Sequence, residues 1–255
     1  MEEKISWITP GDQVVDFTLP EYLYRSKDGF ANFPTNLQTV KAIRQDGETL
    51  IGQNLEPRDL SITLIINGNT RQEVLVRRRN LIRMFNSKLG KGRIRWTRDD
   101  GIYEINAVCN GELDFPNSRS GGKLHQAVVI NLLAPDPRWY DPDPVITTVT
   151  NSATVNNSGD LATPLKISFN GPATGPVSFE NKTTGEKITV NKDLAEGETL
   201  VINSKYGSKE ISINGVNNFA FIDPSSDFPF LAQGNNEIIV SHPAEVEFYN
   251  RFLGI

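Results

Sequence analysis

Apolar and polar residues alternate along the stretch RDLSITLII at 58–66, which sets Leu60, Ile62, Leu64 and Ile66 on one face of an extended segment. Alternation with period two marks a strand buried on one side. Residues 93–97 and 103–109 alternate in the same way around Asp99, Asp100 and Gly101, and predict a β-hairpin. Residues 126–133 are apolar enough for a buried strand. Short alternating segments follow at 177–179, 187–190, 199–202, 210–213 and 244–249, separated by glycine-bearing turns. Strands at that spacing predict a β-sandwich. Four Asn-Gly and three Asp-Gly pairs punctuate the chain, a residue choice that suits tight hairpin turns with positive φ. One segment breaks the β pattern. Thr70 and Glu73 form a capping box, and Val74, Leu75, Leu81, Ile82, Phe85 and Leu89 follow at the spacing of one helical face, up to Gly90 as the terminating residue.

The stretch APDPRWYDPDP at 134–144 stops both kinds of element. Proline has no amide hydrogen to donate and clashes with a preceding helical turn, so neither a helix nor a central strand passes through. Charge changes sign there. The chain carries −5 overall, divided as +2 up to Tyr140 and −7 after it. Two domains follow from this reading, 1–138 and 139–255. The fold class is mainly β: an N-terminal sandwich-like domain with one amphipathic helix and a hairpin, then an all-β sandwich.

Composition narrows the function. At 255 residues and 38% hydrophobic, the chain can build packed cores but holds no run of about 18 apolar residues that would cross a membrane. Its first residues, MEEKISWITPGDQ, lack the pattern of a secretory signal, so the expectation is a protein that stays in the cytoplasm where it is made or leaves by lysis. Cys109 is the only cysteine and sits in an alternating segment as a packing residue. His125 and His242 lie far apart, and neither belongs to a recognisable metal or nucleophile motif. Asp136, Asp141 and Asp143 lack the ligand periodicity of a calcium loop and sit among prolines. No catalytic residue, metal or cofactor is expected.

Residues 71–98 contain ten basic side chains and one acidic one, Glu73. A basic helix beside a basic hairpin raises nucleic-acid binding. The acidic total charge and the absence of a recognised motif argue against it, whereas arginine is also favoured at protein interfaces. Arg71, Arg77, Arg78, Arg79 and Arg83 are therefore the candidate subunit interface.

The order of features resembles the distal tail protein family of long-tailed phages, the siphovirus-type tail component. The resemblance rests on the RDLSITL strand and the helix after it, the hairpin with Tyr103, and the strand that runs into DPRWYD at 136–141. NKTTGE at 181–186 and LAEGETL at 194–200 complete it. It implies a hexameric ring built by the N-terminal domain at the tip of the tail tube, and a galectin-like C-terminal domain projecting outward. It also implies the tube protein and a tail-tip protein as partners, receptor-binding proteins as further ones, and a place in the virion after assembly in the host cytoplasm. Its members are not catalytic. In this frame Pro137, Trp139 and Tyr140 are candidate anchors of a stiff interdomain connector, since proline limits chain freedom and aromatic rings bury much area. They serve either as a simple linker packed on the nearest domain or as a lock on the pose of the two. A carbohydrate-binding or cell-wall adhesion sandwich is the alternative reading.

Overall fold

The structure is a computed structural model that describes residues 3–31, 33–116 and 124–254. It is mainly β, with one α-helix, and divides into two compact units, Met1–Pro142 with Leu253–Ile255, and Asp143–Phe252.

In the first unit, seven antiparallel strands run in the order Val14–Asp16, Lys4–Ile8, Gly92–Arg98, Gly101–Cys109, His125–Ala134, Arg58–Asn67, Tyr22–Asp28. The two ends of this sheet meet. The Phe17 amide donates to the Ile5 carbonyl at 3.0 Å, and the Tyr24 amide donates to the Phe17 carbonyl at 2.7 Å. The sheet curls into a barrel-like body, which removes the unpaired edges that an open sheet presents. Leu60, Ile62, Leu64 and Ile66 are all buried in it, as their alternation predicts, together with Ile94, Trp96, Ile105, Val128 and Ile130. At Gly92 a β-carbon would stand 2.3 Å from the Trp7 ring and 2.7 Å from the Ile8 carbonyl oxygen, so the strand crossing tolerates only glycine.

The helix spans Arg71–Met84, and a short 3₁₀ turn, Ser87–Leu89, follows before Gly90 at φ 103°. Thr70 caps it by accepting from the Glu73 amide at 3.2 Å, while the Glu73 carboxylate accepts from the amide of Asn69 at 2.9 Å. The buried seam is Val74, Leu81 and Phe85, narrower than the sequence pattern predicts. Phe85 stacks on Trp7 at 4.7 Å and Phe17 at 6.4 Å. Leu75, Ile82 and Leu89 stay exposed, because the barrel offers only that one seam to pack against.

In the second unit a six-stranded sheet takes the order Val145–Val149, Ala244–Phe248, Lys166–Asn170, Thr199–Asn203, Glu210–Ile213, Val216–Asn217. A four-stranded sheet takes the order Ser152–Asn157, Gly234–Val240, Val177–Asn181, Glu186–Val190. Phe169, Phe179, Ile188, Leu200, Ile202, Ile238 and Val246 fill the space between them. Asn214 and Gly215 both take positive φ, at 49° and 76°, and make the tight turn that the Asn-Gly pair predicts. Three buried asparagines, Asn157, Asn181 and Asn236, bond backbone carbonyls of residues 230–234 and so pin that segment to the sandwich.

Candidate functional site

One hairpin of the first unit stands apart from the barrel. Among the described residues Thr35–Val40 pairs only with Thr49–Leu55, as a separate two-stranded sheet. No residue of either strand is fully buried. Its turn is closed by local bonds. The Gln45 amide donates to the Ala42 carbonyl, the Gln45 side chain bridges the Ala42 amide and the Thr49 hydroxyl, and Thr39 donates to Glu48. Arg44 and Gly47 supply the positive φ values, 65° and 76°. Cross-strand partners share a face. The register sets Leu37 against Gln53, Thr35 against Leu55 and Thr39 against Leu50, with a bulge beside Ile51. Leu37, Leu50 and Leu55 therefore share one face with Thr35, Thr39 and Gln53, and Val40 lies on the other with Asn36, Gln38, Thr49 and Asn54. Ile43 at the tip is 96% exposed.

The helix presents the second uncovered surface. Leu75, Val76 and Ile82 are exposed on it, and Leu89 on the short turn that follows. The five arginines expected at an interface separate into two sets. Arg77 donates to the Asn67 carbonyl, lies 3.9 Å from both Glu21 and Glu73, and receives the Tyr22 hydroxyl on its own carbonyl. Arg78 lies over the Phe115 ring at 4.0 Å. Both serve their own unit. Arg71, Arg79 and Arg83 are exposed and form no ion pair among the described residues. The hairpin arginines are likewise committed: Arg93 and Arg95 converge on the buried Glu104 at 3.1 and 2.7 Å, and Arg98 pairs with Asp100. The basic run thus contracts to a small cationic set on the outer helix face. Beside its last turn lies a groove of ≈ 490 Å³, lined by Thr9, Pro10, Gly11, Gln13, Arg83, Met84 and Leu89.

The proline-rich stretch is seated in the first unit. Trp139 is fully buried, 5.5 Å from the Phe30 ring and 5.6 Å from Trp96, and its indole donates to the Phe30 carbonyl. Tyr140 pairs with Glu104 of the barrel, and Pro137 is buried. The first unit consequently extends through Pro142, four residues past the expected limit at 138, because the two aromatics complete its core and its sheet. Asp136 accepts from the Tyr140 hydroxyl at 2.5 Å and from Arg138 at 2.9 Å. Burial pushes its pKa upward, but these bonds and the Arg138 charge outweigh burial and hold it below the usual carboxylate value.

Sequence reasoning missed Arg58. It is 1% exposed, and its guanidinium donates to the carbonyls of Phe30 at 2.7 Å and Leu253 at 2.5 Å. The signal was available, since Arg58 shares the parity of Leu60 and Ile62 and so points inward with them.

Groups with catalytic potential are dispersed. Burial raises the Cys109 thiol pKa, which leaves it a poor nucleophile. His125 contacts Asn67, and His242 contacts Ser241. Among the described residues no cluster of three or more His, Cys, Asp or Glu could hold a metal, and no helix is long and apolar enough to cross a membrane.

Comparison with known proteins places this geometry. Residues 158–252 match the family model "Siphovirus-type tail component, C-terminal domain", and residues 17–132 match "Phage tail protein RIFT-related domain". Among solved structures, the Dit protein of phage SPP1, described as a paradigm of the hub adsorption apparatus in phages infecting Gram-positive hosts, superposes with a TM-score of 0.80. The two are 17% identical, over 98% of this chain and 99% of that one. Chains of the phage P2 baseplate in its activated conformation, with calcium and with strontium, give TM-scores of 0.61 and 0.57 at 9% and 8% identity, each over 100% of both chains. No curated protein matches the chain.

Proposed function

The chain belongs to the siphovirus distal tail protein family, and from that premise we propose that six copies close into a ring joining the tail tube to the tail-tip apparatus that meets the host. It is a structural component of the phage tail, assembled there with other tail proteins. The ring is the finer reading. One observation carries it: the first unit leaves two different apolar surfaces uncovered, the 35–55 arm and the outer helix face. Two unlike patches on one subunit make a heterologous contact, which generates a ring when the rotation closes. The tube protein and a tail-tip protein are then the partners of the two ring faces. The second unit is the outward part that takes receptor-binding components, and assembly takes place in the host cytoplasm. Pro137, Trp139 and Tyr140 fasten the start of the interdomain connector to the first unit's core. The protein works by fitting and not by catalysis.

Light scattering on the purified full chain tests this. A mass near six times the 28.4 kDa of the chain, with six-fold rings by electron microscopy, is the expected result. A monomer at every concentration removes the self-assembling ring.

A specific observation also favours the glycan reading for the second unit. Tyr206 is 73% exposed, stacks on Phe230 at 5.3 Å, and has Lys209 above it. An exposed tyrosine offers apolar area together with a polar tip, a combination suited to the mixed surface of a sugar. Retention on host cell wall that Tyr206→Ala abolishes would support it, and equal retention of both proteins would exclude it.

A further inference from the structure

We infer that the second unit carries a binding site for a phosphodiester-linked glycan, in which a sugar ring stacks on Tyr206 and the adjoining phosphate lies against the ammonium groups of Lys205 and Lys209. This rests on the glycan reading of the second unit and deepens it by naming the class of sugar.

The stretch KYGSK at 205–209 builds the site. The Ser208 amide donates to the Lys205 carbonyl at 3.1 Å and closes a turn over residues 205–208, with Gly207 at φ 76° in its third position. Glycine takes positive φ there at no steric cost. Tyr206 is left at the second position of the turn, 73% exposed. Phe230 backs one face of its ring, at 5.3 Å and 28° between the planes. With that face covered, the exposed area lies on the other face and the rim. Phe219, itself exposed, packs with Phe228 at 6.4 Å. Lys209 stands between the two aromatic pairs, its ammonium 5.6 Å from the centre of the Tyr206 ring and 4.8 Å from that of Phe228. The ring quadrupoles attract an ammonium without neutralising it. The turn thus holds a cation at the side of an open aromatic face.

Charge decides the class of glycan. Residues 141–255 hold seven basic and fourteen acidic side chains, a net −7. Three of their lysines are committed to carboxylates: Lys166 to Glu247 at 2.7 Å, Lys182 to Glu180 at 2.5 Å and Lys192 to Glu198 at 3.6 Å. Lys205 and Lys209 are exposed and form no ion pair among the described residues. Two uncommitted ammonium groups beside an open ring make a local anion site, and the surrounding negative charge keeps polyanions off the rest of the unit. Arg251 is the one arginine of residues 141–255, and it donates to the Ala162 carbonyl. A carboxylate is matched best by the planar arginine fork, whereas lysine binds phosphate as a point charge. The anion is therefore a phosphate, and Tyr206 supplies apolar area with a polar tip for the sugar beside it.

Affinity electrophoresis of the full chain tests the site, with one of four polymers cast in the gel: glucosylated poly(glycerol phosphate), the same polymer without glucose, polygalacturonate, or neutral dextran. The glucosylated phosphate polymer halves the mobility at a concentration at least tenfold lower than any of the others, and its effect fades as salt is added. Tyr206→Ala weakens this binding at least tenfold, and so does Lys205→Gln combined with Lys209→Gln. Tyr206→Phe keeps the ring and keeps the binding, which separates loss of stacking from damage to the turn. Equal retardation by polygalacturonate overturns the phosphate assignment. Equal retardation by the glucose-free polymer removes the stacking on Tyr206, and equal retardation by dextran removes the role of the lysines. Either result overturns the site. If no polymer retards the protein but host cell wall retains it through Tyr206, the phosphate site falls and the glycan reading stands. If neither occurs, both fall.

Discussion

Arg58 takes a guanidinium into the centre of the first unit, where among the described residues its two terminal nitrogens meet neutral carbonyls. Loss of water pushes its pKa down to about 10, so it stays charged at neutral pH. Its role is to hold residues 30 and 253 to the start of the strand that carries it. Arg58→Met removes both bonds, and we expect a stability loss of about 1–3 kcal/mol by urea unfolding, the range for stranding buried polar groups. Arg58→Lys offers a single point of donation in place of the fork and should recover only part of it. Asp136 gives a pH-dependent counterpart. Its pKa is held below the ordinary value despite burial, by Tyr140 and Arg138. A carboxylate depressed in the folded state adds stability above its unfolded pKa of about 3.9, and loses that contribution as pH falls through the folded value. Asp136→Asn should therefore lower stability at neutral pH and flatten the acid limb of the stability curve below pH about 4. An unchanged acid limb would show that the Asp136 bonds contribute nothing to folding.

At the level of elements, helix and arm respond to different tests because one is packed and the other is not. The helix is held by its cap and by the Val74, Leu81 and Phe85 seam. Thr70→Ala removes the bond to the Glu73 amide and should cost about 1 kcal/mol in chemical denaturation, with ring assembly intact. The arm has no packing of its own to lose. Leu37→Ser with Ile51→Ser should leave the melting of the monomer within about 0.5 kcal/mol of the parent, as surface changes do. The same pair should shift the assembly equilibrium toward monomer in light scattering. If the pair instead unfolds the protein, the arm packs on something within its own chain.

At the level of the whole molecule, each unit carries a closed core. The second unit fills its sandwich with its own side chains, and residues 143–252 supply every strand of its six-stranded and four-stranded sheets. We expect residues 143–252, produced alone, to give dispersed amide resonances and a single cooperative thermal transition. A molten or aggregated product would mean that its core depends on the rest of the chain.

Much of this molecule follows from its residues alone, because strands, caps and tight turns obey local rules. The parity of Leu60 to Ile66, the Thr70 cap and the Asn214-Gly215 turn depend on neighbours a few positions away, and each is found where the pattern puts it. What needed the third dimension was the fate of side chains whose partners lie far along the chain. Five arginines of one helix look alike in sequence. Asn67 and Phe115 take up Arg77 and Arg78, and Arg71, Arg79 and Arg83 are left outward. Helical spacing marks Leu75 and Ile82 as core, but a single seam on the barrel admits only one row of the helix. Where Trp139 packs was decided by Phe30 and Trp96, at distant positions. The arm was invisible for the opposite reason: its two segments lack the alternation of a half-buried strand, and only folding shows that no described residue of its unit buries them.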